Sequence, residues 1–108
     1  MTTTMTTTEA KQIADTILVQ LGGNRFIAMT GAKMFTFGEK GELTFRIGSG
    51  ADQGINCVKI TLDADDTYTM TFYKIRGVKV VVVKEVDMVY AEDLRRIFTD
   101  TTGFRTTL

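Results

Sequence analysis

Two alternating stretches on either side of an acidic turn constrain this chain more than any other feature. Residues 55–62 and 67–75 alternate apolar and polar side chains around Asp63-Ala64-Asp65-Asp66. Folded about that turn, Leu62 stands opposite Tyr68, Ile60 opposite Met70 and Val58 opposite Phe72, so one face is apolar. The other face carries Lys59, Thr61, Thr67, Thr69, Thr71 and Tyr73. A slip of one residue would turn every apolar side chain to water, so hairpin and register are specified together. Residues 34–37 and 42–47 repeat the pattern around Gly38-Glu39-Lys40-Gly41, setting Phe37 opposite Leu43 and Phe35 opposite Phe45, with Ile47 on the same face.

Helical spacing brackets these strands. Thr6 and Glu9 have the spacing of a capping box. Ala10, Ile13, Ala14, Ile17, Leu18 and Leu21 then form one face of a helix over about residues 7–21, with Gly22 as its left-handed C′ residue. Residues 26–29 read as a short strand or an extended connector, and 48–54 as a loop. Arg76-Gly77 turns the chain into a last strand over 78–86, whose valines fall on both faces. Such a strand is expected to be central or covered, with Lys79, Lys84 and Glu85 guarding it against aggregation. A second helix is expected from about 89 to 102, on a stripe of Tyr90, Leu94, Ile97, Phe98 and Thr101, ended by Gly103. The expected fold is α+β: an antiparallel meander of four to five strands with an N-terminal and a C-terminal helix packed on one face, in two layers. Residues 1–5 are read as a flexible leader and 6–108 as a single domain.

Composition narrows the chemistry. Thirteen Lys plus Arg balance thirteen Asp plus Glu, so any attraction to a polyanion must come from a local patch. Histidine is absent and Cys57 is the single cysteine, which removes the commonest general base and metal ligand and any cysteine-built zinc site within the chain. The chain is therefore read as non-enzymatic, with no cofactor and no metal. The first eight residues have neither a cationic nor an apolar stretch of a secretory signal, and the apolar run 80–83 is too short to span a bilayer. A cytoplasmic location without membrane contact is expected.

Candidate binding residues fall in two places. Residues 21–33 crowd glycines with Asn24, Arg25, Thr30 and Lys33, a set able to hold an anion, although neither phosphate-loop spacing is met and glycine after a helix is commonly a C-cap. The polar sheet face offers Arg46, Lys59, Tyr73 and Lys79, cations for phosphates and a ring for a base, on what is otherwise an ordinary solvated face. Asp63, Asp65 and Asp66 could ligate a divalent cation, but they lack the calcium-loop pattern and suit a turn. Cys57 shares the parity of Lys59 and reads as a half-buried thiol, while the six methionines read as core filler.

Gly22-Gly23-Asn24-Arg25-Phe26, Met29-Thr30-Gly31-Ala32, Leu43-Thr44-Phe45-Arg46, Gly54-Ile55-Asn56, Asp66-Thr67-Tyr68, Arg76-Gly77, Val89-Tyr90 and Phe98-Thr99 resemble segments of small proteins from bacteriophages and other mobile elements. The likeness covers nearly the whole chain after the leader. It implies a bacterial host cytoplasm and carries over no catalytic or binding residue. The expected function is an accessory module that binds another macromolecule, a protein first, with nucleic acid as the alternative and a homodimer through an edge strand as an open possibility.

Overall fold

The computed structural model describes residues 7–38 and 41–104. The leader, the Thr6 cap, the Glu39-Lys40 turn tip and the end of the tail lie outside the described residues. The first helix, α1 (Thr7–Leu21), buries Ala10, Ala14, Ile17 and Leu21 and half-buries Ile13 and Leu18, the face its spacing defines. Gly22 ends it at φ 127°, with Gly22 N donating to Val19 O at 3.1 Å and Gly23 N to Leu18 O at 2.9 Å. This is the paired bonding of a Schellman cap.

Residues 26–29 are neither strand nor connector: they belong to a seven-residue helix, α2 (Asn24–Thr30). About two turns suffice to bury Phe26 and Thr30 on one side, and Gly31 closes the helix at φ 69°. So short an apolar run fits both periodicities, and here burial of Phe26 among other rings decides for the helix.

Five strands follow, β1 (Lys33–Gly38), β2 (Glu42–Arg46), β3 (Cys57–Leu62), β4 (Tyr68–Arg76) and β5 (Lys79–Val89), in one antiparallel sheet ordered as in the chain. The pairs Leu62/Tyr68, Ile60/Met70, Val58/Phe72 and Phe37/Leu43 stand as the alternation predicts. Phe35 does not pair opposite Phe45, because an irregularity between Lys33 and Thr36, with Met34 at φ 57°, shifts the register. The two rings still meet, with centroids 5.5 Å apart.

The last strand departs furthest from expectation. It runs to Val89 and lies at the sheet edge, not at its centre: Val80, Val81 and Val82 are each more than half exposed, while Val83, Val86 and Val89 pack against the core. The second helix therefore starts later than its stripe suggests. A 3-10 turn over Ala91–Asp93 leads into α3 (Leu94–Thr102), and Tyr90, placed on the stripe by spacing, is exposed. Leu94, Phe98, Thr101 and Thr102 are buried, and Gly103 closes α3 at φ 80°.

The three helices share the Leu43–Phe45–Val58–Ile60–Met70–Phe72 face of the sheet, which gives the two-layer α+β arrangement. At its centre Phe26 meets Phe45 edge-on at 5.4 Å and Phe98 at 5.1 Å, tying α2, β2 and α3 together.

Candidate functional site

Register assembles a polar surface on the uncovered face. Lys33 pairs with Arg46, Arg46 with Cys57, Cys57 with Tyr73 and Tyr73 with Val82, a row across all five strands. The next row runs Thr36, Thr44, Lys59, Thr71 and Glu85. Lys33, Arg46, Lys59 and Tyr73 thus share one surface, with the Lys59 ammonium 6.0 Å from the Tyr73 ring centroid. Two carboxylates dilute the positive charge there: Glu42 pairs with Thr61, and Glu85 accepts from the Thr71 hydroxyl at 3.1 Å. Cys57 is buried within the row; burial pushes its thiol pKa up, while the nearby Arg46 guanidinium and a backbone hydrogen bond at Val58 pull against that rise. The thiol is held protonated, not poised as a nucleophile.

The other sequence-predicted residues do not join this surface. Asn24 and Arg25 are exposed on α2, in the helical layer. Thr30 is buried, and its hydroxyl donates to Phe26 O at 2.8 Å and accepts from Ala32 N at 3.3 Å. Its role is to close α2. The acidic turn is likewise occupied with its own geometry: Asp65 accepts from the Thr67 hydroxyl at 2.6 Å and Asp63 from the Thr69 hydroxyl at 2.6 Å. The Thr67 hydroxyl, followed by the Thr67 amide, holds the Asp65 carboxyl below the usual carboxylate range.

Lys79, assigned by sequence to the polar face, lies on the opposite one. It pairs with Arg76, which shares the parity of Phe72, and the bulge after Val82 breaks any longer parity count along β5. There Lys74, Arg76, Lys79 and Val81 line a pocket of about 240 Å³ near the tip of the β4–β5 hairpin. None of the ion pairs among the described residues involves these three cations. Lys74 and Arg76 were not singled out by sequence, although their two-residue spacing before the Gly77 turn sets them and Lys79 on one side.

The second missed feature is the β5 edge itself. Its eleven residues expose valines on both faces, and Val78 at the turn is fully exposed. Two bulges interrupt it, at Val83 and around Asp87-Met88, the latter with Met88 at φ 56°. By contrast β1, the other edge, has only six residues.

No protein-family model, curated protein or solved structure matches this chain. Among the described residues no helix is long and apolar enough to cross a membrane, and no group of three or more acidic or cysteine side chains is arranged to hold a metal ion.

Proposed function

We propose that this protein is a non-enzymatic accessory module of bacteriophage or mobile-element type, acting in the cytoplasm of a bacterial host, that binds another protein through the β5 edge. One observation carries the reading. An eleven-residue edge strand offers unpaired backbone groups together with Val80, Val81 and Val82 more than half exposed. Long edges pair with other strands unless charges, bulges or a cover prevent it, and here the three uncharged residues Val80, Val81 and Val82 stand exposed between Lys79 and the bulge at Val83. A partner adding a strand would gain main-chain hydrogen bonds from the edge and specificity from side chains on both faces. The absence of histidine also favours binding over general acid–base chemistry. Affinity capture from a bacterial lysate, with the wild type beside a Val80→Lys, Val82→Lys double variant, tests this. Proteins held by the wild type should be lost by the variant; identical captured sets would overturn the reading.

Nucleic-acid binding is the second reading, favoured by the shared surface of Lys33, Arg46, Lys59 and Tyr73. Three cations bound its salt dependence: the slope of log K against log salt for a single strand should be no steeper than about −2. Fluorescence anisotropy with single-stranded and duplex DNA reads it directly, and no binding at low salt removes it.

A further inference from the structure

We infer that the concavity at the end of the β4–β5 hairpin binds a small, multiply charged anion, a diphosphate group free or carried by a nucleotide, through Lys74, Arg76 and Lys79. The site lies on the opposite face of the sheet from Lys33, Arg46 and Lys59, and it does not depend on what the β5 edge binds. Register assembles it. Lys74 and Arg76 stand two residues apart on β4 and so share a face; Lys79 pairs directly with Arg76 and Val81 with Lys74. These four side chains line the pocket of about 240 Å³. The next pair inward on that face, Phe72 with Lys84, adds a fourth cation beside it.

Like charges directly opposite each other on paired strands destabilise a sheet, so the Arg76–Lys79 pair carries a cost that an anion between them would remove. No described residue supplies that anion. The ion pairs among the described residues join Lys11 to Asp15 and Arg96 to Asp93 and Asp100, all on or beside the helices. Asp52, in the turn beside Lys74, has its carboxylate against Gly103, and Glu85 bonds Thr71 on the other face of the sheet. Lys74 is also held in place. Gly54, at φ 74°, lies so close that a Cβ there would stand 3.2 Å from Lys74 Cε and 3.3 Å from Cδ, so the lysine stem rests on that turn. Three cations around one concavity suit a diphosphate: the planar Arg76 fork can take two oxygens while the two ammonium groups neutralise the rest as point charges. A nucleic-acid strand calls for cations in a row, whereas these are gathered at one hairpin end.

Titration calorimetry of the full chain with inorganic pyrophosphate at low salt tests the inference. The wild type should bind saturably, and its melting temperature should rise with pyrophosphate concentration. Arg76→Gln and Lys79→Gln should each weaken binding at least about tenfold, whereas Lys11→Gln, which removes the same charge from α1, should not. Without ligand, Lys79→Gln should melt no lower than the wild type, because it relieves the like-charge pair; lost affinity in a chain that is no less stable is not an outcome that misfolding can produce. ADP in place of pyrophosphate separates the sources: tighter binding of ADP marks a nucleotide, and equal or weaker binding marks a free diphosphate. Absence of saturable pyrophosphate binding overturns the inference, even if a DNA strand binds through the same cations. So does binding that is indifferent to Arg76→Gln and Lys79→Gln, or that Lys11→Gln weakens as much as they do.

Discussion

At the scale of single residues, two threonines end two helices by one device. Thr30 Oγ1 donates to Phe26 O at 2.8 Å and accepts from Ala32 N at 3.3 Å; Thr102 Oγ1 donates to Phe98 O at 2.8 Å and accepts from Phe104 N at 3.1 Å. Each precedes a left-handed glycine, Gly31 or Gly103, and each follows by four residues a phenylalanine whose ring touches the other. Replacing Thr30 with Val preserves shape but leaves the Ala32 amide without its acceptor, which should cost about 1–3 kcal/mol in urea unfolding. Thr30→Ser keeps the hydroxyl and should lose less. Met88 poses the opposite problem, a side chain where the backbone favours glycine. At φ 56° and 60% exposed it gains little from burial, so Met88→Gly should raise stability by up to about 1 kcal/mol, seen as a higher urea midpoint at unchanged slope. The Phe-x-x-x-Thr-Gly spacing is visible twice in the sequence. Its meaning is not, because a threonine hydroxyl bonds back to the i−4 carbonyl in mid-helix as well, as Thr16 does to Gln12 O, and only the turn at the glycine brings the Ala32 or Phe104 amide to it.

At the scale of elements, the hairpins were legible and the boundaries between unlike neighbours were not. The β3–β4 register follows from alternation because one face is buried and a turn of fixed length joins the strands. α2 escaped because seven residues are too few to separate a period of two from one of 3.6, and its helical state depends on Phe26 reaching Phe45 and Phe98. The position of β5 escaped because valines on both faces look the same whether a strand is central or at an edge. Beyond Cys57 the β3 ladder is continued by a side chain: Asn56 Nδ2 donates to Ile75 O at 2.9 Å, and Ile75 N donates to Asn56 Oδ1 at 2.8 Å. Asn56→Ala should cost roughly 1–2 kcal/mol and accelerate hydrogen exchange at Ile75 and toward the hairpin tip. Tyr68 joins β4 to α1, its hydroxyl donating to Gln20 Oε1 at 2.9 Å. Burial raises its pKa above the ordinary 10.0, and the Asp66 charge adds to the rise. The folded state therefore holds this proton more tightly than the unfolded chain. Its contribution is fully present below about pH 10 and is lost as pH climbs through the folded value. Tyr68→Phe should flatten that alkaline loss in melting temperature measured from pH 9 to 12; an unchanged alkaline slope would remove Tyr68 as its source.

At the scale of the whole molecule, the helices cover one side of the sheet and leave its other face and its last edge to solvent or to partners. The charge balance makes that exposure consequential. Thirteen basic and thirteen acidic groups give a formal net charge of zero at pH 7, with an isoelectric point of about 6.2, so little electrostatic repulsion separates copies near neutrality. Below the isoelectric point carboxylates gain protons and copies repel as cations; well above it, they repel as anions. Light scattering of a concentrated solution, held well below its melting temperature, should therefore be greatest near pH 6 and fall on either side. Val80 is 59% exposed and lies on β5, so Val80→Lys should lower that maximum without lowering the melting temperature, by placing a charge on the edge where strands meet. Val58→Ala, at a fully buried position on β3, should instead lower the melting temperature and raise scattering only as the chain unfolds. A scattering profile that is flat with pH, or one that Val80→Lys leaves unchanged, would show that the β5 edge does not govern association between copies.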